Sequence, residues 1–122
     1  MAYDIVFFVE DDGRIPVLEW LLDLDPKARK KAYARMRRLG IWGHELRRPV
    51  ADYLRDGIYE LRMAHGNVQF RILYFFHGSS VVVISHGLRK TDIIPPRDID
   101  KALERKERFE RDPEGHRGGF QI

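Results

Sequence analysis

Arg62, Arg71 and His86 lie on three consecutive segments whose composition is typical of β-strands, and strand pairing would place them in one row. Gly66-Asn67 and Gly78-Ser79 separate these segments and favour two-residue hairpin turns. With those turns, Arg62 is predicted opposite Arg71, and Arg71 opposite His86. Side chains directly opposite have Cβ atoms about 5 Å apart, and like charges there destabilise a sheet. The row therefore indicates a site for an anionic ligand.

Clustered guanidinium groups suit phosphate chemistry, because they bind phosphate in a fork and stabilise charge developing on a phosphoryl group. RNA supplies its own nucleophile, the 2′-hydroxyl, so cleavage needs only cations and groups that transfer protons. His86 titrates near neutrality, and neighbouring arginines are expected to lower its pKa toward the neutral, base-competent form. The predicted catalytic residues are Arg62, Arg71, His86, Arg89 and Lys90, the last two at the end of the third strand.

A structural explanation of the same row stays open. Glu60 could partner one arginine while the other is solvated at the end of the sheet. A one-residue bulge would also change the pairing, and a slip by one residue moves Arg71 to the opposite face. The chain has no cysteine, and its histidines lack the spacing of a metal-binding helix pair. No metal or cofactor is therefore predicted.

Charge is unevenly distributed along the 122 residues, although the net charge is only +3. Residues 1–25 carry seven acids and one base, whereas residues 26–48 carry nine bases and one acid. Such a segment is typical of a surface that contacts a polyanion or an acidic protein, and the alternative is a solvated helix face. The predicted RNA-binding residues are Lys27, Lys30, Lys31, Arg37, Arg38, Arg47 and Arg48.

The elements that must position these residues are predicted in the order βααβββα, a small α+β domain with a mostly antiparallel sheet and helices packed on one face. A strand over Tyr3–Val9 precedes helices over Ile15–Leu24 and from Pro26 to about Leu39, where Gly40 is the expected stop. Residues 40–56 are predicted as a loop, and a last helix runs from Pro95-Pro96 to about Asp112. Residues 1–112 form the predicted domain, and residues 113–122 a flexible tail.

No apolar run reaches the roughly 18 residues of a membrane span. The first residues have no basic stretch before their apolar segment, unlike a signal peptide. A cytoplasmic protein without a membrane partner is therefore expected.

Three segments, taken in order, resemble the RelE/ParE superfamily of toxins from type II toxin–antitoxin systems, and most closely its phage-derived, HigB-like branch. The segments are Gly57–Arg62, Phe70–Tyr74 and Ile84–Thr91, followed by the trailing pattern Thr91, Pro95, Ile99, Ala102 and Arg105. The resemblance covers about residues 3–110.

The resemblance implies a toxin that is neutralised by an antitoxin encoded beside it, which is expected to be a helix-turn-helix protein. RelE-like and HigB-like members are mRNA interferases, metal-independent endoribonucleases that inhibit translation by cutting mRNA on the ribosome. By position, Arg62, Arg71 and Arg89 match basic residues that RelE-like enzymes use around the scissile phosphate. The implied partners are therefore an antitoxin, mRNA and the ribosome.

Two departures from the RelE-like pattern leave the proton-transfer groups unassigned by resemblance. RelE-like enzymes carry lysines on the strand where this chain has Ile58 and Glu60, and a tyrosine in the final segment where it has Pro95. His86 and Lys90 are the substitutes proposed from the residues themselves. Two alternatives stay open: a DNA gyrase inhibitor of the ParE kind, and a module that binds nucleic acid or protein without cleaving.

Overall fold

A six-stranded sheet carries helices on both of its faces in the computed structural model, which describes residues 2–120. In chain order the elements are β1 (Asp4–Phe8), α1 (Pro16–Asp23), α2 (Pro26–Trp42), β2 (Ala51–Arg55), β3 (Ile58–His65), β4 (Val68–His77), β5 (Val81–Lys90), α3 (Pro96–Arg111) and β6 (Arg117–Gly119). The strands lie in the order β2-β3-β4-β5-β1-β6, with β1 parallel to β5 and the other pairs antiparallel. The predicted α+β class is confirmed.

The helices divide between the two faces, so the prediction of a single helical face is wrong. On one face, α1 and α2 bury Leu21 and Met36 against Phe7 of β1. On the other, α3 buries Phe109 against Phe8. Successive strand side chains point to opposite faces, and β1 is apolar at every position after its first. Both faces of this strand therefore need cover, and one helical layer supplies only one.

Two predicted boundaries also differ from the structure. Helix α2 continues through Gly40 and ends at Trp42. Gly43 follows as the capping residue, with a positive φ of +50° that favours glycine. The predicted loop over residues 40–56 contains β2, which forms the edge of the sheet beside β3.

The segment from Pro113 to Phe120 packs into the fold where a flexible tail was predicted. Its strand β6 pairs with β1, with Gly118 opposite Phe7. His116 Nδ1 lies 2.8 Å from the carbonyl oxygen of Val9, and Phe120 packs edge-on against Phe7. Gly118 allows β6 to approach β1 this closely, because a Cβ there would lie 2.9 Å from Val9 Cγ2 and 3.1 Å from the carbonyl oxygen of Phe7. Residues 121 and 122 of the predicted tail lie outside the described residues.

Within residues 2–120, no helix is long and apolar enough to span a membrane.

Candidate functional site

The β3–β4 hairpin places Arg62 opposite Arg71, as the sequence predicts. The turn between the strands has Gly66 with a φ of +60°, which a two-residue hairpin turn requires. Both arginines lie on the sheet face that α3 covers farther along, where Leu73 and Phe75 enter its core. The pairing therefore brings two guanidinium groups to one end of this face.

Two carboxylates lie beside the facing arginines. Arg62 donates from Nε to Glu60 over 2.7 Å, and its Nη2 donates to Asp52 over 3.3 Å. The same Asp52 oxygen is 2.7 Å from Arg48 Nη2. Glu60 is only 4% exposed, and its second oxygen is 3.6 Å from Arg71 Nε. The alternative in which the row is purely structural is therefore correct in one part, because Glu60 pairs with Arg62. It is wrong in the other part, because Arg71 is buried and not solvated.

Arg71 is the more buried arginine, with 7% of its surface exposed. Its Nη1 donates to the carbonyl oxygen of Phe70 over 2.9 Å, and its buried Nε has no hydrogen-bond partner within residues 2–120. Burial lowers the pKa of Arg71, and Arg62 adds to that effect while Glu60 opposes it. Arginine nevertheless stays protonated in proteins, so Arg71 supplies a desolvated, fixed positive charge.

A groove of about 300 Å³ opens beside these groups, and we call it the arginine groove. Its lining includes Arg35, Arg62 and Arg71, together with apolar side chains and Gln69. Arg35 also lines a neighbouring groove between α2 and β3, of about 400 Å³, together with Lys31 and Arg38. Arg35 was absent from the predicted binding residues. Its spacing of four from Lys31 and three from Arg38, which puts all three on one helix side, was the signal that could have identified it.

The second hairpin does not place His86 opposite Arg71, so that part of the prediction is wrong. Its turn takes three residues, 78–80, and the register shifts once more between Leu73 and Tyr74. As a result Arg71 pairs with Leu88, while His86 pairs with Leu73. Because residues rise about 3.3 Å along a strand, His86 lies on the same face about 7 Å from the predicted position.

His86 belongs to a buried polar network that ties α3 to the sheet. Its Nδ1 lies 2.8 Å from Ser85 Oγ and 3.2 Å from Arg105 Nη1, and its Nε2 lies 3.1 Å from Asp98 Oδ1. Arg105 also donates from Nε to Glu10 over 3.0 Å. Nδ1 therefore accepts hydrogen bonds, while Nε2–H donates to Asp98, which is the pattern of a neutral imidazole.

The pKa of His86 is lowered, in the predicted direction but for a different reason. Burial is the largest cause and the positive charge of Arg105 the next, whereas the hydrogen bond to Asp98 acts in the opposite direction. Neither arginine of the predicted row is responsible. The same burial that keeps His86 neutral also separates it from solvent, since only 12% of its side chain is exposed.

Lowering the pH is therefore expected to destabilise the protein through His86. Its folded-state pKa lies below the ordinary value of 6.5, so the unfolded chain binds the proton first and stability falls as the pH drops below 6.5. The free energy of unfolding in urea should decrease between about pH 7.5 and about pH 5.5, above the range where carboxylates titrate. A His86→Gln variant should show a smaller decrease, and an identical decrease would contradict this role.

The two basic residues at the end of β5 point to opposite faces. Lys90 pairs with Gln69 and shares the face of Arg71, whereas the exposed Arg89 pairs with Phe70 on the face of α1 and α2. Of the five predicted catalytic residues, four lie on one face of the sheet: Arg62, Arg71 and Lys90 at its end, and His86 against α3.

The predicted RNA-binding residues of α2 keep their charges free of carboxylates. Within residues 2–120, no Asp or Glu oxygen lies within 4 Å of these side chains, which are Lys27, Lys30, Lys31, Arg37 and Arg38. Lys31 Nζ donates to the carbonyl oxygen of Ala64 over 3.4 Å, which places this lysine against the edge of β3. Helical periodicity puts Lys27 and Arg38 on the same side, and Lys30 and Arg37 away from β3.

Comparison with known proteins identifies the family of the chain. A family model described as phage-derived protein Gp49-like (DUF891) matches residues 19–107, from within α1 to within α3. The chain belongs to the Gp49-like family. Gp49-like proteins are toxin-like and related to RelE and HigB, so the resemblance to this superfamily is confirmed at that level. No curated protein matches the chain.

Proposed function

We propose that this Gp49-like protein is the toxin of a type II toxin–antitoxin pair and acts as a metal-independent mRNA endonuclease on the ribosome. The observation that carries the proposal is the pair of facing arginines in a groove that a third arginine, Arg35, completes. Three guanidinium groups around one small groove suit a phosphodiester whose negative charge grows during cleavage. The family adds an antitoxin as the expected partner.

In the proposed reaction the 2′-hydroxyl of RNA loses its proton to solvent water and attacks the adjacent phosphorus. The bond to the 5′-oxygen breaks, which leaves a 2′,3′-cyclic phosphate and a 5′-hydroxyl end. Arg62 and Arg71 bind the non-bridging oxygens, and Glu60 holds the Arg62 guanidinium in place through its 2.7 Å hydrogen bond. Lys90, on the same face, donates a proton to the departing 5′-oxygen. His86 acts as a positioning residue in this scheme, because its network anchors α3 to the sheet face that carries the two arginines.

The basic side chains of α2, which have no carboxylate within 4 Å in the described residues, could bind the rest of the RNA substrate. Lys31, Arg35 and Arg38 line a groove that shares Arg35 with the arginine groove, so a phosphate backbone could run from one into the other. Contacts of this kind position nucleic acid without regard to sequence and weaken as salt concentration rises.

One observation favours the second candidate, a module that binds nucleic acid or protein without cleaving it. Arg62 already has two carboxylate partners, Glu60 and Asp52, which reduce the net charge available to a phosphate. Mapping transcript 5′ ends after induced expression distinguishes the candidates. Cuts within translated codons support the nuclease, and double-strand DNA breaks support a gyrase inhibitor. Normal growth with intact transcripts and DNA would leave only the binding module.

Replacing Lys90 with alanine is expected to lower cleavage by about 100-fold, the smaller end of what positioned proton-transfer groups contribute. Arg89→Ala is the matched control, because it removes a neighbouring positive charge from the opposite face. The readout is the initial rate of cutting of one mapped transcript site. Equal losses in the two variants would show that net charge at the end of β5 matters, and not the placement of Lys90.

A further inference from the structure

A cavity of about 540 Å³ lies beside the edge strand β2, between this strand and the segment that follows α2. Its lining includes His44, Leu46, Arg47, Arg48, Tyr53 and Tyr59. This volume is within the range of small-ligand sites, and the lining combines aromatic rings with positive charges. The scheme proposed above for cleavage uses none of these aromatic groups.

The rings of this cavity, which we call the aromatic cavity, are supported from behind by the core. Tyr59 stacks on the buried Tyr74 with ring centroids 5.4 Å apart, and His44 stacks on Phe76 at 3.5 Å. Tyr53 lies in front, with its ring edge-to-face with Tyr59 at 5.0 Å and 53% of its surface exposed. A half-exposed ring on a rigid aromatic layer is a ready stacking surface, because little conformational freedom remains to be lost on binding.

The charges of the aromatic cavity connect it to the arginine groove. Arg47 is exposed and has no carboxylate oxygen within 4 Å in the described part of the chain. Arg48 shares one oxygen of Asp52 with Arg62, at 2.7 and 3.3 Å. Because Arg62 lines the arginine groove, the two sites are joined around β2 by a single carboxylate.

We propose that the aromatic cavity binds one unstacked base of single-stranded RNA next to the phosphate held in the arginine groove. The inference rests on the proposed function and adds a specificity site to it. The base stacks on Tyr53 and Tyr59, and Arg47 and Arg48 bind the flanking phosphates. Proteins that bind single-stranded RNA commonly combine an aromatic stacking surface with adjacent cations in this way.

The test uses a fluorescent 2′-O-methyl hexaribonucleotide, which cannot be cleaved because its 2′-hydroxyls are blocked, and the full-length protein. One base at a time is removed to leave an abasic sugar, and binding is followed by fluorescence anisotropy. Stacking of one base predicts that a single abasic position weakens wild-type binding by about 5- to 150-fold. Tyr53→Ala should bind the intact oligonucleotide as weakly as the wild-type protein binds the abasic one. Removing the base at that position should then cause no further loss of affinity in this variant.

Tyr53→Phe is the matched control. The Tyr53 hydroxyl accepts a hydrogen bond from the backbone N–H of Gly57 over 3.0 Å, and both variants lose it, but only the alanine variant loses the ring. Tyr53→Phe should therefore keep the sensitivity to the abasic position. Loss of this sensitivity in both variants would assign the effect to the turn at Gly57 and overturn the inference.

Two further outcomes separate this site from the proposed function. If Tyr53→Ala retains the abasic sensitivity, the base site is wrong, although cuts at mapped transcript positions would still support the nuclease. If wild type binds no oligonucleotide but binds poly-L-glutamate through Tyr53, the cavity belongs to an acidic protein segment and the inference is overturned. The nuclease itself is then judged by 5′-end mapping alone.

Discussion

Replacing Arg71 with alanine is expected to lower RNA cleavage by about 100- to 1,000-fold, the usual effect of removing one group that stabilises transition-state charge. Arg71 is 7% exposed, so its charge acts where water screens it poorly. A phosphate in the arginine groove gains negative charge during attack, and the loss should therefore appear in the rate of cutting more than in RNA affinity. The measurements are growth after induction and the rate of cutting at one mapped site.

The Arg71 variant should still fold. Glu60 keeps its 2.7 Å hydrogen bond to Arg62 when Arg71 is absent, so no buried carboxylate is left without a partner. Arg111→Ala is the matched control, because Arg111 is an exposed arginine in the last turn of α3, outside the groove. Urea unfolding of both variants shows that the fold is retained. A folded Arg71→Ala variant that still arrests growth would rule out the proposed site.

Local sequence was sufficient to predict the first half of the site. Gly66 and Asn67 allow one short turn, and every pair from His65–Val68 to Ile58–Phe75 follows from it by counting. The alternation of side chains along β3 and β4 then places Arg62 and Arg71 on one face. No contact distant in sequence is needed for this result, which explains why the prediction is correct.

The second half depends on a turn that takes three residues, 78–80, and on contacts between residues distant in sequence. The register shift in β5 falls beside Ser85 and His86, and both side chains are held by residues of α3, Asp98 and Arg105. These partners follow His86 by 12 and 19 residues. A bulge that re-aims side chains toward such partners cannot be found by counting from a turn.

Charge pairing likewise emerges only in three dimensions. Asp52 and Arg62 are ten residues apart in the chain, and they meet because β2 forms the edge strand beside β3. In the sequence Asp52 and Arg62 are two unrelated charges. In the structure the Asp52 carboxylate offsets part of the positive charge of Arg62. By contrast, the lysines and arginines of α2 have no carboxylate within 4 Å in residues 2–120. The helix surface therefore keeps its full positive charge, which composition alone does not show.

The two sheet faces could have been anticipated from one segment. Residues Ile5 to Phe8 are apolar without interruption, which is typical of a strand buried on both sides, not of one with a solvated face. A sheet with helices on only one face would leave half of these apolar side chains exposed to water. The second helical face has a functional consequence, because α3 and the facing arginines Arg62 and Arg71 share one face of the sheet.

Replacing Arg105 with alanine is expected to lower the free energy of unfolding by about 3–5 kcal/mol, the cost of leaving the partners of a buried ion pair uncompensated. Arg105 is 8% exposed and contacts Glu10, Ser85 and His86 at 3.0, 3.3 and 3.2 Å. It therefore joins three segments: the turn after β1, the register shift in β5, and α3. Urea unfolding at neutral pH measures the loss.

Arg108→Ala separates this effect from a general loss of charge on α3. Arg108 also donates to Glu10, over 3.0 Å, but it is on the surface side, where 20% of its side chain is exposed. Burial acts to raise the pKa of Glu10, and the hydrogen bonds from Arg108 and Arg105 together lower it, so both arginines stabilise the same carboxylate. Only Arg105 also reaches Ser85 and His86, so the Arg108 variant should lose less stability than the Arg105 variant, about 1–2 kcal/mol. Comparable losses would mean that Glu10 alone holds α3 in place and that the network around His86 contributes little.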